Sequence, residues 1–290
     1  MLALSFIPKN KSNKSNKQIN HKDVIYKQIN QNNSTKTIVH VLDYNNGFGD
    51  YLRGSIFLAH YAKYFNIQFR LNISQHHISK YFNVKRFPIG NIHIIRPNNL
   101  PDTSPVHTQD INKSNIIPFL TSFMKSNQRS VYINTCNYYN TKWLTNDIRQ
   151  YINSFLSIKP RYYDKAKELF NLDIYQVLHI RCKDSEFYTE FTDDILLREI
   201  DSLHLPLSTI VLSNNYSLKQ KLNKLYGFHY INQPAEHSAH LKSKLESTII
   251  DYIILSKSSR TYCFSYYGHG SGFSEHCSAL HNIPYQVKCL

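Results

Sequence analysis

The feature that most constrains this chain is a regular alternation of short β-branched runs with helix-period stretches, sustained from Thr37 almost to its end. Thr37 to Asp43 reads as a buried strand. Tyr51 to Phe65 reads as an amphipathic helix with Leu52, Ile56, Ala59 and Phe65 on its apolar side, and Ile67 to Ile73 as the next strand. A proline-bearing stretch, 74–128, offers a short strand at Ile92–Ile95, and Ser130 to Thr135 completes the first run. Helical patterns at Thr145–Leu156 and Pro160–Phe170 bridge to a second run. Its strands are expected at Tyr175–Arg181, Thr209–Ser213, Phe228–Ile231, Thr261–Ser265 and Pro284–Val287. Its helices are expected at Asp193–Leu203, Ser217–Tyr226, Leu241–Ser256 and Ser271–Leu280. On the long helix at 241–256, Leu245, Ile249, Tyr252 and Ile253 form one apolar face. Strand, crossover helix and strand at this spacing build parallel sheets covered by helices on both sides. The expectation is an α/β chain of two Rossmann-like halves, 37–158 and 159–290, joined near Ser157–Pro160. Such sheets bind ligands outside the carboxyl ends of their strands, which points to the loops after Asp43, Arg181, Ser213 and Ser265.

With 290 residues and 41% hydrophobic content, the chain is large enough for this two-halved interior. Its formal net charge of +14 suggests an anionic partner. That charge is uneven: up to Thr37 there are seven lysines against the single acid Asp23, in an Asn/Lys/Ser/Gln context without apolar periodicity. Residues 1–36 therefore read as a disordered basic arm, either a solvated tail or a nucleic-acid-binding extension. The five cysteines, Cys136, Cys182, Cys263, Cys277 and Cys289, show no Cys-x-x-Cys and no zinc-ligand spacing. They suit a reducing compartment with no disulfide framework and no metal. His76-His77 reads as a polar loop. No apolar run is long enough for a membrane span, so a soluble, cytoplasmic chain is expected.

Three segments carry chemistry. Gly47-Phe48-Gly49 opens the first helix, where backbone amides and the positive helix end can face an anion. The next glycine, Gly54, comes too late for a dinucleotide fingerprint. The approach from Asp43 to Gly49 is compatible with an S-adenosylmethionine loop, but no acid ends the following strand to hold ribose hydroxyls. In the second segment, His179-Ile180-Arg181-Cys182-Lys183-Asp184, alternation puts His179 and Arg181 on one side of the strand. The guanidinium would offer forked donors to phosphate, or pair with Asp184 as a structural contact. The third comprises Asp251 on the long helix and Gly268-His269-Gly270-Ser271-Gly272-Phe273-Ser274 at the next helix start. There hydroxyls and amides suit a phosphate, or Ser271 acts simply as N-cap.

In this order, G-x-G-D-x-x-R-G, H-x-R-x-x-D, D-x-x-x-L-S and S-G-F-S, the chain resembles the fucosyltransferase superfamily of the α1,2, α1,6 and protein O-fucosyl branches. The resemblance covers about Thr37 to Ile283 and implies a GT-B-like fold whose parallel sheets face a cleft, the first half on the acceptor side and the second binding the nucleotide sugar. It implies GDP-fucose as donor, with no cofactor and no metal, and a glycan hydroxyl as acceptor. His179 would hold the nucleotide and Arg181 the diphosphate; Cys182 stands where a second basic residue is frequent, with Lys183 one place later. Asp251 would read the guanine. Ser271, Gly272, Phe273 and Ser274 would bind phosphate, with Ser265 as rival. Gly47, Gly49, Asp50 and Arg53 would face the sugar and the acceptor. Glu190, Glu186 and Asp184 are the candidate acids for the acceptor proton. The expected reaction is an inverting, metal-independent transfer of fucose from GDP-fucose, with neither a nucleic-acid partner nor a membrane span. The alternatives are an S-adenosylmethionine-dependent methyltransferase built on Asp43–Gly49 and a basic nucleic-acid-binding protein using the arm.

Overall fold

The computed structural model describes residues 36–42, 47–74, 76–83, 113–183, 194–232 and 245–290. The expected arm up to residue 35, the strand at Ile92–Ile95 and the acids Asp184, Glu186 and Glu190 lie outside the described residues. Lys36, counted with the arm in the sequence, is held: its Nζ donates to the carbonyls of Phe123, Ser126 and Gln128.

Two sheets carry the fold. The smaller has the order β2-β1-β3, with β1 at Thr37–Val41, β2 at Gln68–Asn72 and β3 at Ser130–Ile133. The larger has the order β6-β5-β4-β7-β8: β4 spans Gln176–Arg181, β5 Thr209–Ser213, β6 His229–Tyr230, β7 Arg260–Ser265 and β8 Tyr285–Cys289. Every strand pair in both is parallel, as the alternation requires. The helices are α1 (Phe48–Tyr64), α2 (Ile116–Lys125), α3 (Asn146–Phe155), α4 (Pro160–Phe170), α5 (Asp194–Ser202), α6 (Tyr216–Tyr226), α7 (Glu246–Lys257) and α8 (Gly272–His281). This is the α/β architecture expected from the sequence, with strands and helices within a few residues of their anticipated ends.

Three local expectations need correction. Helix α2 falls in the proline-bearing stretch; Pro118 is its third residue, in the first turn, where a missing N–H removes no intrahelical bond. His76 is not in a solvated polar loop: it is 1% exposed, and its Nδ1 accepts from Ile78 N at 3.1 Å to cap the 3₁₀ turn His77–Tyr81. Helix α7 buries Ser247, Ile249, Ile250 and the run Tyr252–Ser256, so its apolar surface wraps most of the helix rather than one face. It lies against both α4 and α8, which leaves it little solvent-facing side.

The interior is continuous across both sheets. One apolar cluster joins Ile38, Leu52 and Ile133 to Val177, Ile253 and Leu280, while a second, under α5 and α6, packs Leu178, Ile180, Leu196 and Leu222 on the opposite face of the larger sheet. Alternation along β4 thus sends Leu178 and Ile180 to the outer cluster and turns His179 and Arg181 toward the smaller sheet. Helices α1 and α8 pack along one another between the sheets. Gly49 permits this closeness, since a Cβ there would lie 2.6 Å from Phe273 N; Gly54 does the same for α1 against the smaller sheet, where a Cβ would lie 1.8 Å from Thr135 O.

Candidate functional site

A cavity of about 450 Å³ opens where the starts of α1 and α8 meet the carboxyl ends of β4, β5 and β7. Backbone contact between Gly49 and Phe273 sets two helix N-termini side by side at its wall, so the positive ends of two helix dipoles point into one space. Gly47 is the N-cap of α1 and brings no side chain to the cap. Ser271, the N-cap of α8, makes no side-chain capping bond. The simple N-cap reading of Ser271 is therefore not what the structure shows, and the residue instead lines the cavity.

From α1, Asp50 and Arg53 reach the wall and pair at 2.8 Å between Oδ1 and Nη2. The pair is partly solvated, so it orients both groups more than it stabilises the fold. Arg53 Nε is buried without a hydrogen-bond partner and keeps a donor to give. From β4 come His179 and Arg181. Burial, reinforced by the neighbouring Arg181 charge, lowers the His179 pKa to about 3, so its imidazole is neutral at ordinary pH. The Arg181 guanidinium lies 5.1 Å from the ring centroid of Tyr267, and its Nη1 donates to Cys182 O at 3.3 Å. An aromatic ring beside a guanidinium favours its charge and helps to fix its place.

Asp251 lines the same cavity from α7. Desolvation raises its pKa to about 6, against the opposing pull of the Lys219 ammonium, so it is ionised at neutral pH but within reach of mild acid. Two arginines, one of them paired with Asp50, and two helix starts, with the Asp251 carboxylate set apart, make a site for a ligand with an anionic middle and a hydrogen-bond-donating end.

The cavity wall thus gathers Gly47, Gly49, Asp50, Arg53, His179, Arg181, Asp251, Ser271, Gly272 and Phe273 from the residues singled out in the sequence. Ser274 stands behind the wall, fully buried, with its Oγ 2.8 Å from His179 Nδ1. The rival Ser265 is also fully buried and serves its own loop: its Oγ donates to Gly270 O and accepts from Tyr267 N. Asp184 and Glu190 lie outside the described residues. Sequence reasoning missed Thr248 and Tyr267, named His269 only as part of the Gly268–Ser274 segment, and flagged the end of β5 without naming Asn214. Asn214 clamps the mouth: its Oδ1 accepts from Cys182 N at 2.8 Å and its Nδ2 donates to Cys182 O at 2.9 Å, tying the ends of β4 and β5 together. The strand-end rule was the signal that could have found it. Among the described residues no three His, Cys, Asp or Glu side chains converge as a metal set, and no helix is long and apolar enough to cross a membrane.

No protein-family model matches the chain, and no curated protein does either. Solved structures do. A variant of FUT1 from Arabidopsis thaliana, in complex with GDP, is 11% identical with a TM-score of 0.50; the match covers 91% of this chain and 74% of that one. Fucosyltransferase NodZ from Bradyrhizobium is 14% identical at a TM-score of 0.48, covering 84% and 92% of the two chains. POFUT1 in complex with GDP is 11% identical at 0.47, covering 87% and 98%. At such identities the likeness is one of fold: this chain has the GT-B-like α/β architecture.

Proposed function

We propose that this GT-B-like chain is a glycosyltransferase, an inverting fucosyltransferase that moves fucose from GDP-fucose to a glycan hydroxyl without a metal. The observation that carries the reading is the convergence of Arg181, two helix starts and Asp251 on one cavity at the strand ends. The related fold of Arabidopsis FUT1 holds GDP, which supports the same donor base and diphosphate here. In this reading ionised Asp251 accepts hydrogen bonds from the guanine. Arg181, with the amides at the start of α8, holds the diphosphate, and His179 adds a neutral contact beside it. Asp50 and Arg53 face the sugar and the acceptor.

The acceptor oxygen attacks the anomeric carbon from the face opposite the diphosphate. The bond from that carbon to the leaving oxygen breaks, and the electron pair departs on GDP. Arg181 offsets the charge that grows there, a task needing no metal when a fixed cation is already in place. The acceptor proton passes to a carboxylate, for which Asp184 and Glu190, with Asp50 as a third choice, are the proposed bases. The methyltransferase alternative gains nothing from the fold: Asn72, not an acid, ends β2, and its side chain accepts from Ser74. The test is release of GDP from GDP-fucose in the presence of a panel of glycans and EDTA. Turnover that survives the chelator is expected, and a strict requirement for added Mn²⁺ would refute the metal-independent reading.

A further inference from the structure

His179 reaches the cavity from β4 with 7% of its surface exposed, and its Nδ1 is turned away from the cavity toward Ser274 Oγ at 2.8 Å. Ser274 is fully buried in the first turn of α8, and the hydroxyl of Tyr285 on β8 lies 3.4 Å beyond it. Cys263, directly opposite His179 in the sheet register, brings its Sγ to 3.9 Å from the same Nδ1. Four polar side chains from three strands and a helix therefore meet behind the cavity wall, where each proton must have an assigned place.

A neutral imidazole carries one N–H, on Nδ1 or on Nε2, and the partner of one nitrogen decides the state of the other. Burial pushes the Tyr285 phenol and the Cys263 thiol upward, so both keep their protons and can donate. The thiol has the Phe264 carbonyl, also at 3.9 Å, as an acceptor and leaves the choice to the hydroxyls. A phenol that donates to Ser274 Oγ leaves the serine proton free to go to Nδ1. We propose that Ser274 is a positioning residue: aligned by Tyr285, its hydroxyl donates to His179 Nδ1 and fixes the tautomer with the proton on Nε2, the ring edge left on the cavity side. The cavity thereby receives an uncharged N–H donor beside Arg181, suited to an anionic oxygen. Only the identity of that oxygen, a donor-nucleotide phosphate, rests on the function proposed above.

The test is the imidazole ¹⁵N spectrum of the full-length protein without ligand, with the His179 signals assigned by their loss in His179→Gln. A bare Nδ1 and a protonated Nε2 are expected, unchanged between pH 8 and pH 5. Ser274→Ala should let the Nδ1–H form appear and weaken GDP binding about three- to tenfold. Ser274→Thr, which restores a hydroxyl, should return the tautomer, and Tyr285→Phe should shift it in the direction of Ser274→Ala but less far. A protonated Nδ1 in the wild-type protein overturns the proposal, as does a tautomer unmoved in both Ser274→Ala and Tyr285→Phe. If the tautomer behaves as expected while GDP fails to bind the wild-type protein, the positioning role stands and the nucleotide reading falls.

Discussion

Arg181 owes its place to strand alternation: two residues after His179, it leaves the end of β4 on the side facing α1 and α8, over the ring of Tyr267. Leaving-group charge grows in the transition state, so Arg181→Ala should lower kcat by roughly 10²–10³ with little loss of melting temperature. Arg181→Lys should recover only part, because an ammonium lacks the planar fork. Steady-state kinetics on both variants check this, and normal turnover in folded Arg181→Ala would contradict it. In the proposed function Asp251 would hold the guanine in the ground and transition states alike. Asp251→Asn should therefore raise the donor KM, by about ten- to a hundredfold for a lost charged hydrogen bond, more than it lowers kcat. Its pKa, raised by desolvation to about 6, adds a pH test. The accepting carboxylate is lost as pH falls through 6, so GDP affinity should drop there, and Asp251→Asn should flatten that limb. Arg181 was legible in the sequence because a strand end is a local pattern, and Asp251 because the D-x-x-x-L-S motif resembles that of the fucosyltransferase superfamily. Tyr267 was not, since a loop leaves no periodicity to read, and the buried role of Ser274 depends on a strand 95 residues away.

At the scale of elements, β/α alternation revealed the strands and most helices, and parallel pairing followed from it. Helix α2 was hidden because Pro118 looks like a breaker until its place in the first turn is known. The wrapped burial of α7 was hidden because it depends on which helices flank it. Helix α1 rests on two glycines whose reason no local pattern shows, Gly49 against the start of α8 and Gly54 against the smaller sheet at Thr135. Gly49→Ala would drive a Cβ into the backbone of Phe273, so the two helix starts must separate, and GDP affinity should fall. Gly54→Ala meets the Thr135 carbonyl and should cost roughly 1–3 kcal/mol or more, as overpacking does. Gly268→Ala, with open space around it, is the control and should leave stability near that of the wild type. Calorimetric melting of the three proteins ranks them, and a Gly54→Ala protein as stable as Gly268→Ala would contradict the packing account.

Across the whole molecule, one apolar cluster links the two sheets, and burial favours the neutral form of several histidines. Burial lowers His40 and His179 to about 3 and His276 and His281 to about 4, against 6.5 when unfolded. Below pH 6.5 the unfolded chain takes up protons that the folded one refuses, so stability is lost as pH falls, by up to about 1.4 kcal/mol per pH unit for each group. Asp251 opposes them, since its raised pKa lets the folded state hold a proton that the unfolded chain releases between 3.8 and about 6. Glu275, also raised by burial, opposes them too, but four imidazoles against two carboxyls leave a net loss, and the melting temperature should fall steadily between pH 6.5 and 4.5. A flat profile would show that these imidazoles are not held neutral.

The central claim is that the cavity between α1, α8 and the strand ends is a GDP site, and calorimetric titration of the purified protein tests it most directly. GDP should bind at one site per chain, more tightly than ADP, and should weaken in both Asp251→Asn and Arg181→Ala while S-adenosylmethionine gives no heat. Saturable binding of S-adenosylmethionine with none of GDP, or GDP binding indifferent to both substitutions, would contradict the account.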